Sequence, residues 1–528
     1  MTTVISADAL SGLRQPGTPA ELLRQQSLSR PDKEALVCGQ VRLTYRRLEA
    51  AAAAVKDQLH ELGVRKGDRI GLLFPNQPGY VVSFFGASGL GATVVPINPL
   101  LKSEEIAHIL SDSEARAIIV HESALEEVIR ALPDVPSIEH VIVSRTTAGP
   151  IHDSDGTRRA SLVDLVSFTD RKPAGSWVEP VEPACDLVLL VYTSGTTGKP
   201  KGAMLTHANL FSAIESALEA FRLNDSDRFL AVLPLCHIYG LAVVMLGTMW
   251  RGGTLVVLEK FDAVQALATI ESERVTLIPA VPAMYQFMLM ELDRNTYDVS
   301  SVRICLSGAA ALPTDLIARI EERFGAVLVE GYGMTESSCI ATVNPPDGVR
   351  KPGSVGPAVK NVVVEVLGED GHVLPPGEKN IGQVALKGPN VMRGYYKRPE
   401  ATAECFRDGW FLTGDLGYKD VDGYLYLVGR QKELIIRGGQ NIYPREVEEV
   451  ILRMPEVAEA AVIGVPDRYM GERVKAVVVP RPGARLTEEQ IKEFCAARLA
   501  EYKVPRLVEF LDQLPRNSTG KVLKRLLS

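Results

Sequence analysis

The stretch Y-T-S-G-T-T-G-K-P-K-G, residues 192–202, follows directly on an apolar run, L-V-L-L-V, at 187–191. A short strand that opens into a glycine-rich, hydroxyl-rich loop is a layout for holding phosphate. Gly195, Gly198 and Gly202 let the backbone take positive φ and approach a ligand closely. The hydroxyls of Thr193, Ser194, Thr196 and Thr197, with backbone N–H groups, can wrap phosphate oxygens, and Lys199 and Lys201 add charge. The common nucleotide loop, G-x-x-x-x-G-K-[ST], runs straight into a helix. Here the glycines stand three apart and Pro200 follows the lysine, so no helix N-terminus is presented. That disfavours kinase and P-loop GTPase chemistry.

Working outward, helical and strand patterns alternate. Thr44 is expected to cap a helix reaching residue 62, rich in alanine at 50–54 and closed by Gly63. Strands are expected at 68–74, 92–97, 117–120 and 139–144, with helices at 80–90, 103–110 and 122–132 between them. Such alternation implies parallel sheet with right-handed crossovers. The polar stretch 145–180 reads as a surface excursion. Near residue 405 the texture changes, with Asp408-Gly409 and Asp422-Gly423 marking tight turns between short alternating runs. The tail then reads helix 444–453, strands 459–464 and 474–479, and helix 488–500, opened by a Thr487/Gln490 capping box.

At 528 residues the chain predicts more than one domain, and 46% apolar against 23% charged residues is an ordinary globular composition. A net charge of −7 gives no reason to expect nucleic acid or an anionic membrane as partner. Seven scattered cysteines, without a CxxC pair, indicate neither a disulfide framework nor a zinc site. The start lacks a basic-then-apolar leader, and the most apolar stretch, 239–250, falls well short of the roughly 20 residues of a membrane span. The expected location is cytoplasmic.

Five motifs standing in one order carry a resemblance: YTSGTTGKPKG (192–202), EGYGMTE (330–336), GWFLTGDLG (409–417), YLVGRQKELI (426–435) and NSTGKVLKR (517–525). Together they resemble the adenylate-forming enzymes, which include acyl-CoA synthetases, 4-coumarate–CoA ligases and luciferases, and are most like fatty-acyl-CoA ligases. The resemblance implies an α/β fold. A large N-terminal domain of parallel and mixed sheets with helices and a β-rich subdomain would span 1–429, and a small mobile α+β domain 430–528, with a hinge at 430–432 and Lys432 as its pivot. It also implies ATP, Mg²⁺ and coenzyme A. A carboxylate attacks the α-phosphate to give acyl-AMP and pyrophosphate, and a thiol then displaces AMP.

By the same resemblance the loop 193–201 holds the β- and γ-phosphates. Gly331, Tyr332 and Gly333 lie along the adenine, with Glu330 and Met334 in the same wall and Tyr332 as the stacking ring. Thr335 contacts the α-phosphate and Glu336 ligates magnesium, while Ser307, Gly308 and Ala309 form the opposite wall. Asp415 takes the ribose hydroxyls, with Arg430 near ribose and phosphate. Lys521, in S-T-G-K, bridges carboxylate and phosphate as the acyl phosphate bond forms.

His237, Tyr239 and Gly240 resemble an acyl-pocket segment, and Lys260, Gly438 and Gly439 resemble coenzyme A contacts. Some aryl-acid ligases and luciferases carry lysine where Gly438 stands, and plant aryl ligases often have glutamine where Glu330 stands. These departures favour a medium- or long-chain fatty acid over an aryl acid. The run 280–290, rich in methionine, suits either an adaptable pocket or a core helix, and Arg251 could meet a second carboxylate. The alternatives are an aryl-CoA ligase, a ligase loading a carrier protein, a luciferase-like oxidase and a non-catalytic nucleotide- or acyl-binding protein. Monomer and homodimer are both compatible with the sequence.

Overall fold

The computed structural model describes residues 16–145, 161–165, 178–193, 200–310, 312–516 and 522–528. Ser194, Gly195, Thr196, Thr197, Gly198, Lys199 and Lys521 therefore lie outside the described residues.

The helix Tyr45–Glu61 starts where expected, because the Thr44 hydroxyl accepts the Arg47 N–H at 3.3 Å. Its alanines let it lie close against Pro78–Gly89: a Cβ at Gly86 would come within 2.8 Å of the Ala52 carbonyl oxygen. Strands Arg69–Leu73, Thr93–Ile97, Ala117–His121 and His140–Ser144 are parallel neighbours, each fed by a helix. Part of the expected surface excursion is instead an edge strand, Ser161–Asp164, parallel to His140–Ser144. Its polar, exposed pattern hid it, since an edge strand needs little apolar surface.

Among the described residues the strands form four sheets, two of eight strands and two of five. The first eight-stranded sheet is completed by Leu187–Thr193, antiparallel Lys201–Thr206 and the short Gly394–Tyr395. The second runs parallel through Val327–Tyr332, Ile304–Ser307, Leu277–Ala280, Arg228–Ala231, Thr254–Val257 and Glu34–Cys38, with antiparallel edges. One continuous apolar core fills the space between them, so the helices there are buried nearly all round.

An antiparallel sheet built on Val363–Leu367, Gly382–Lys387, Trp410–Lys419 and Leu425–Arg430 supplies the β-rich part. Its hairpins turn at the two D-G pairs, and Asp408 and Gly409 both take positive φ. The last sheet lies within residues 435–510, packs helices Pro444–Ile451 and Glu488–Ala496, and has its own core around Ile435, Val447 and Ile491. The Thr487/Gln490 capping box is formed.

Helix Pro282–Leu292 buries Tyr285, Met288 and Leu289 in a second core and exposes Phe287 and Met290, so it is a core helix and no pocket wall. Arg251 is exposed at a helix end and does not line the main cavity. No helix of the described residues is long and apolar enough to cross a membrane.

Candidate active site

The C-terminal ends of parallel strands converge on one cavity of about 670 Å³, the usual ligand position in open α/β sheets. Thr193, Ser307 and Tyr332 each stand at the last residue of a strand and line it. Thr193 pairs with Lys201 between antiparallel strands, and both of these residues flanking the glycine-rich stretch line the cavity. The upstream stem is fixed from the side: Tyr192 donates to Asp112 at 2.8 Å, and Arg398 donates to the other Asp112 oxygen at 2.6 Å.

Tyr332 and Asp415 meet. The Tyr332 hydroxyl donates to Asp415 Oδ2 at 2.6 Å, and Arg430 Nε lies 3.0 Å from Asp415 Oδ1. Burial, and then the neighbouring carboxylate, hold the Tyr332 phenol far above its usual range, so it remains a donor. Asp415 is nearly enclosed, and each of its oxygens keeps a second lone pair for another donor. Arg430 reaches it because the two residues are cross-strand partners.

Gly333 has to be glycine for space. A Cβ there would stand 1.8 Å from the Cys339 carbonyl oxygen. The chain then turns through Thr335–Ser337, and Met334, Thr335 and Glu336 face the cavity. Tyr395 donates to Glu336 Oε1 at 2.7 Å. On the other wall lie Gly308 and Ala309, and the buried Ser307 hydroxyl lacks a protein partner. A buried hydroxyl of that kind beside a cavity fits a polar ligand. Magnesium, too, fits the donors present. It binds through one or two carboxylates plus phosphate oxygens and waters, and Glu336 offers one such carboxylate.

His237 and Tyr239 line the cavity together with the buried apolar residues Cys236, Val243, Leu306, Val329 and Ile340. Burial pushes the His237 imidazole down to about 4, so it is neutral near pH 7. Gly240 does not line the cavity; a Cβ there would sit 2.4 Å from the Pro234 carbonyl, so its role is local packing. Lys432 lines the mouth. Lys260 is exposed, and Gly438 and Gly439 form the turn between Ile435–Arg437 and Gln440–Ile442. None of those three lines the cavity.

Glu330 also stands behind the wall instead of in it. Burial pushes its carboxyl up to about 7, against the pull of Arg445 on helix Pro444–Ile451. The folded carboxyl keeps its proton where the unfolded one, near 4.5, has lost it, so this group's contribution to stability is lost as pH rises through about 7. Glu330→Gln is expected to gain in thermal midpoint over the parent as pH goes from about 5 to about 8. A difference constant across that range, in parallel melts, would contradict the assignment.

Sequence reasoning missed Tyr395, Asp112 and Thr413, which also borders the cavity or its stems. R-G-Y-Y at 393–396 has no distinctive spacing. Only its pairing with Ala203 and Met204 brings it to Glu336.

Comparison with known proteins agrees with this geometry. The family described as AMP-binding enzyme matches residues 23–396, and the AMP-binding enzyme C-terminal domain matches 446–521. A long-chain-fatty-acid–CoA ligase of Bacillus subtilis (strain 168) is 35% identical, covering 97% of this chain and 94% of its own. A feruloyl-CoA synthase of an Amycolatopsis species is 40% identical, covering 97% and 98%. The crystal structure of ATP-bound MatB from Rhodopseudomonas palustris superposes with a TM-score of 0.85 at 34% identity, covering 96% and 98%. The chain belongs to the AMP-binding family of adenylate-forming enzymes.

Proposed function

We propose that this AMP-forming acid–thiol ligase joins an apolar monocarboxylic acid, foremost a medium- or long-chain fatty acid, to coenzyme A. In the first half-reaction a carboxylate oxygen attacks the α-phosphorus of ATP and pyrophosphate leaves, giving acyl-AMP. In the second, the thiol sulfur attacks the acyl carbonyl, its proton is lost, and AMP leaves.

The observation that carries the choice of acid is the buried apolar lining of the cavity: Cys236, Val243, Leu306, Val329 and Ile340 beside a neutral His237. A second carboxylate placed there would lose its hydration and find no cation among these residues, which is costly. An alkyl chain would instead exchange water for apolar contact. An aryl acid is the second reading, supported by the feruloyl-CoA relative.

Lys201 and the loop 193–199 would hold the β- and γ-phosphates, Thr335 the α-phosphate and Asp415 the ribose hydroxyls. Arg430, whose side chain Asp415 orients, would reach ribose and phosphate. Magnesium held through Glu336 would neutralise phosphate charge. Lys521 would offset the charge that builds between carboxylate and phosphate, and preorganised donors are worth most at such a point. Residues 430–528 would turn about Lys432 between the half-reactions, with Lys260, Gly438 and Gly439 beside coenzyme A.

The test is pyrophosphate release across fatty acids from C2 to C18, benzoates, cinnamates and dicarboxylates, with and without coenzyme A. Preference for apolar monoacids with turnover dependent on coenzyme A is expected. A dicarboxylate preference would overturn the substrate reading. Release that stalls after one turnover despite coenzyme A would overturn the thiol half.

A further inference from the structure

We infer that Tyr395 is the positioning residue that sets the Glu336 carboxylate for magnesium, a role that rests on reading Glu336 as the metal ligand. Two bonds from one short segment hold Glu336. Tyr395 donates its phenolic hydrogen to Oε1 at 2.7 Å, and the Met392 N–H donates to the Glu336 carbonyl at 2.7 Å. Backbone and side chain of Glu336 are thus tied to residues 392–395.

That segment is itself built onto the phosphate loop. Gly394–Tyr395 pairs antiparallel with Ala203 and Met204, and the Tyr396 N–H donates to the Gly202 carbonyl at 2.8 Å. Lys201 Nζ stands 5.3 Å over the Tyr395 ring centroid. On its other side the Tyr395 N–H donates to Thr402 Oγ1 at 2.9 Å. Tyr395 therefore joins the downstream stem of the glycine-rich loop to the carboxylate 59 residues away in sequence.

One lone-pair site on Oε1 is taken by the phenol, which fixes the carboxylate plane and leaves Oε2 for a ligand. Outer hydrogen bonds of this kind orient metal ligands, and their loss costs metal affinity by about 10- to 100-fold. The same ring lies under Lys201 Nζ, so one side chain touches both the described stem of the loop and the carboxylate.

Tyr395→Phe keeps the ring and the strand pairing and removes only the hydroxyl. The probe is Mn²⁺ binding, followed by electron paramagnetic resonance, to the full-length protein saturated with α,β-methylene-ATP. The dissociation constant is expected to rise about 10-fold or more, while affinity for the metal-free analogue moves much less. Glu336→Gln is expected to weaken Mn²⁺ binding further, and the double variant to match Glu336→Gln alone. Unchanged Mn²⁺ affinity in Tyr395→Phe, with Glu336→Gln defective, would overturn the Tyr395 role and leave the Glu336 reading standing. Intact Mn²⁺ binding in Glu336→Gln would overturn both. An added, independent loss in the double variant would show that Tyr395 does not act through Glu336.

Discussion

Lys521→Ala is expected to lose acyl-AMP formation by at least ~10²–10³-fold, the typical effect of removing a preorganised donor from developing charge. Thioester formation from pre-formed acyl-AMP and coenzyme A is expected to fall far less, because that step does not build the acyl phosphate bond. The residue lies outside the described part of the chain, but its flanks are anchored. Arg516 and Val522 form an antiparallel bridge. Lys524 pairs with Glu433 at 3.3 Å and with Glu448 at 2.7 Å, so the segment after Lys521 is tied to the turn that follows Lys432. A motion about Lys432 would therefore carry the lysine segment with it. Separate assays of the two half-reactions check this, and near-normal acyl-AMP formation in the variant contradicts it.

Asp415→Ala is expected to act on both half-reactions together. Each hydrogen bond to a charged group is worth about 1.5–3 kcal/mol, so losing two ribose contacts weakens ATP and AMP binding by roughly 10²-fold or more. The substitution also takes the acceptor from Tyr332 and the partner from Arg430, both of which point into the same cavity. Arg430 is partly exposed, which moderates the cost of leaving it unpaired. Asp415→Asn keeps the shape and one acceptor and is expected to fall between the parent and the alanine variant. Nucleotide affinity by calorimetry measures the effect; unaltered ATP binding with slowed chemistry would remove the ribose role.

Asp415 sits on Trp410–Lys419 and does not itself line the cavity; it stands behind Tyr332 and Arg430, which do. Lys521 belongs to the C-terminal residues, which carry a separate core. On the proposed rotation about Lys432, a residue of the N-terminal region would serve every step that uses the nucleotide, and Lys521 only the step for which it arrives.

Local chemistry was legible where it acts over a few residues. The Thr44 cap, the Thr487 capping box and the D-G turns are short-range hydrogen-bond and φ requirements, and each stands where its residues stand. Four of the five ordered motifs border one cavity, each a contiguous strand-end or turn, while residues 517–521 of the fifth lie outside the described residues. What stayed hidden depends on partners far off in sequence. The Tyr192–Asp112 bond spans 80 residues and the Tyr395–Glu336 bond 59, and neither tyrosine has a neighbour that announces its role.

Glu330 shows the opposite failure. It lies inside a recognised motif, yet its side chain is buried outside the cavity lining. The stretch 239–250 read simply as apolar. It winds as a π-helical segment, Tyr239–Leu246, then continues as Gly247–Arg251, a local geometry that residue type alone does not encode.

In the proposed sequence an acid is activated as its adenylate and then passed to coenzyme A in one cavity. A single-turnover quench experiment with ATP labelled at the α-phosphorus and the preferred acid follows that sequence step by step. The label is expected to accumulate in acyl-AMP without coenzyme A, and to move to free AMP as acyl-CoA appears when coenzyme A is added. Label recovered in ADP, or AMP released without any acid, would contradict it.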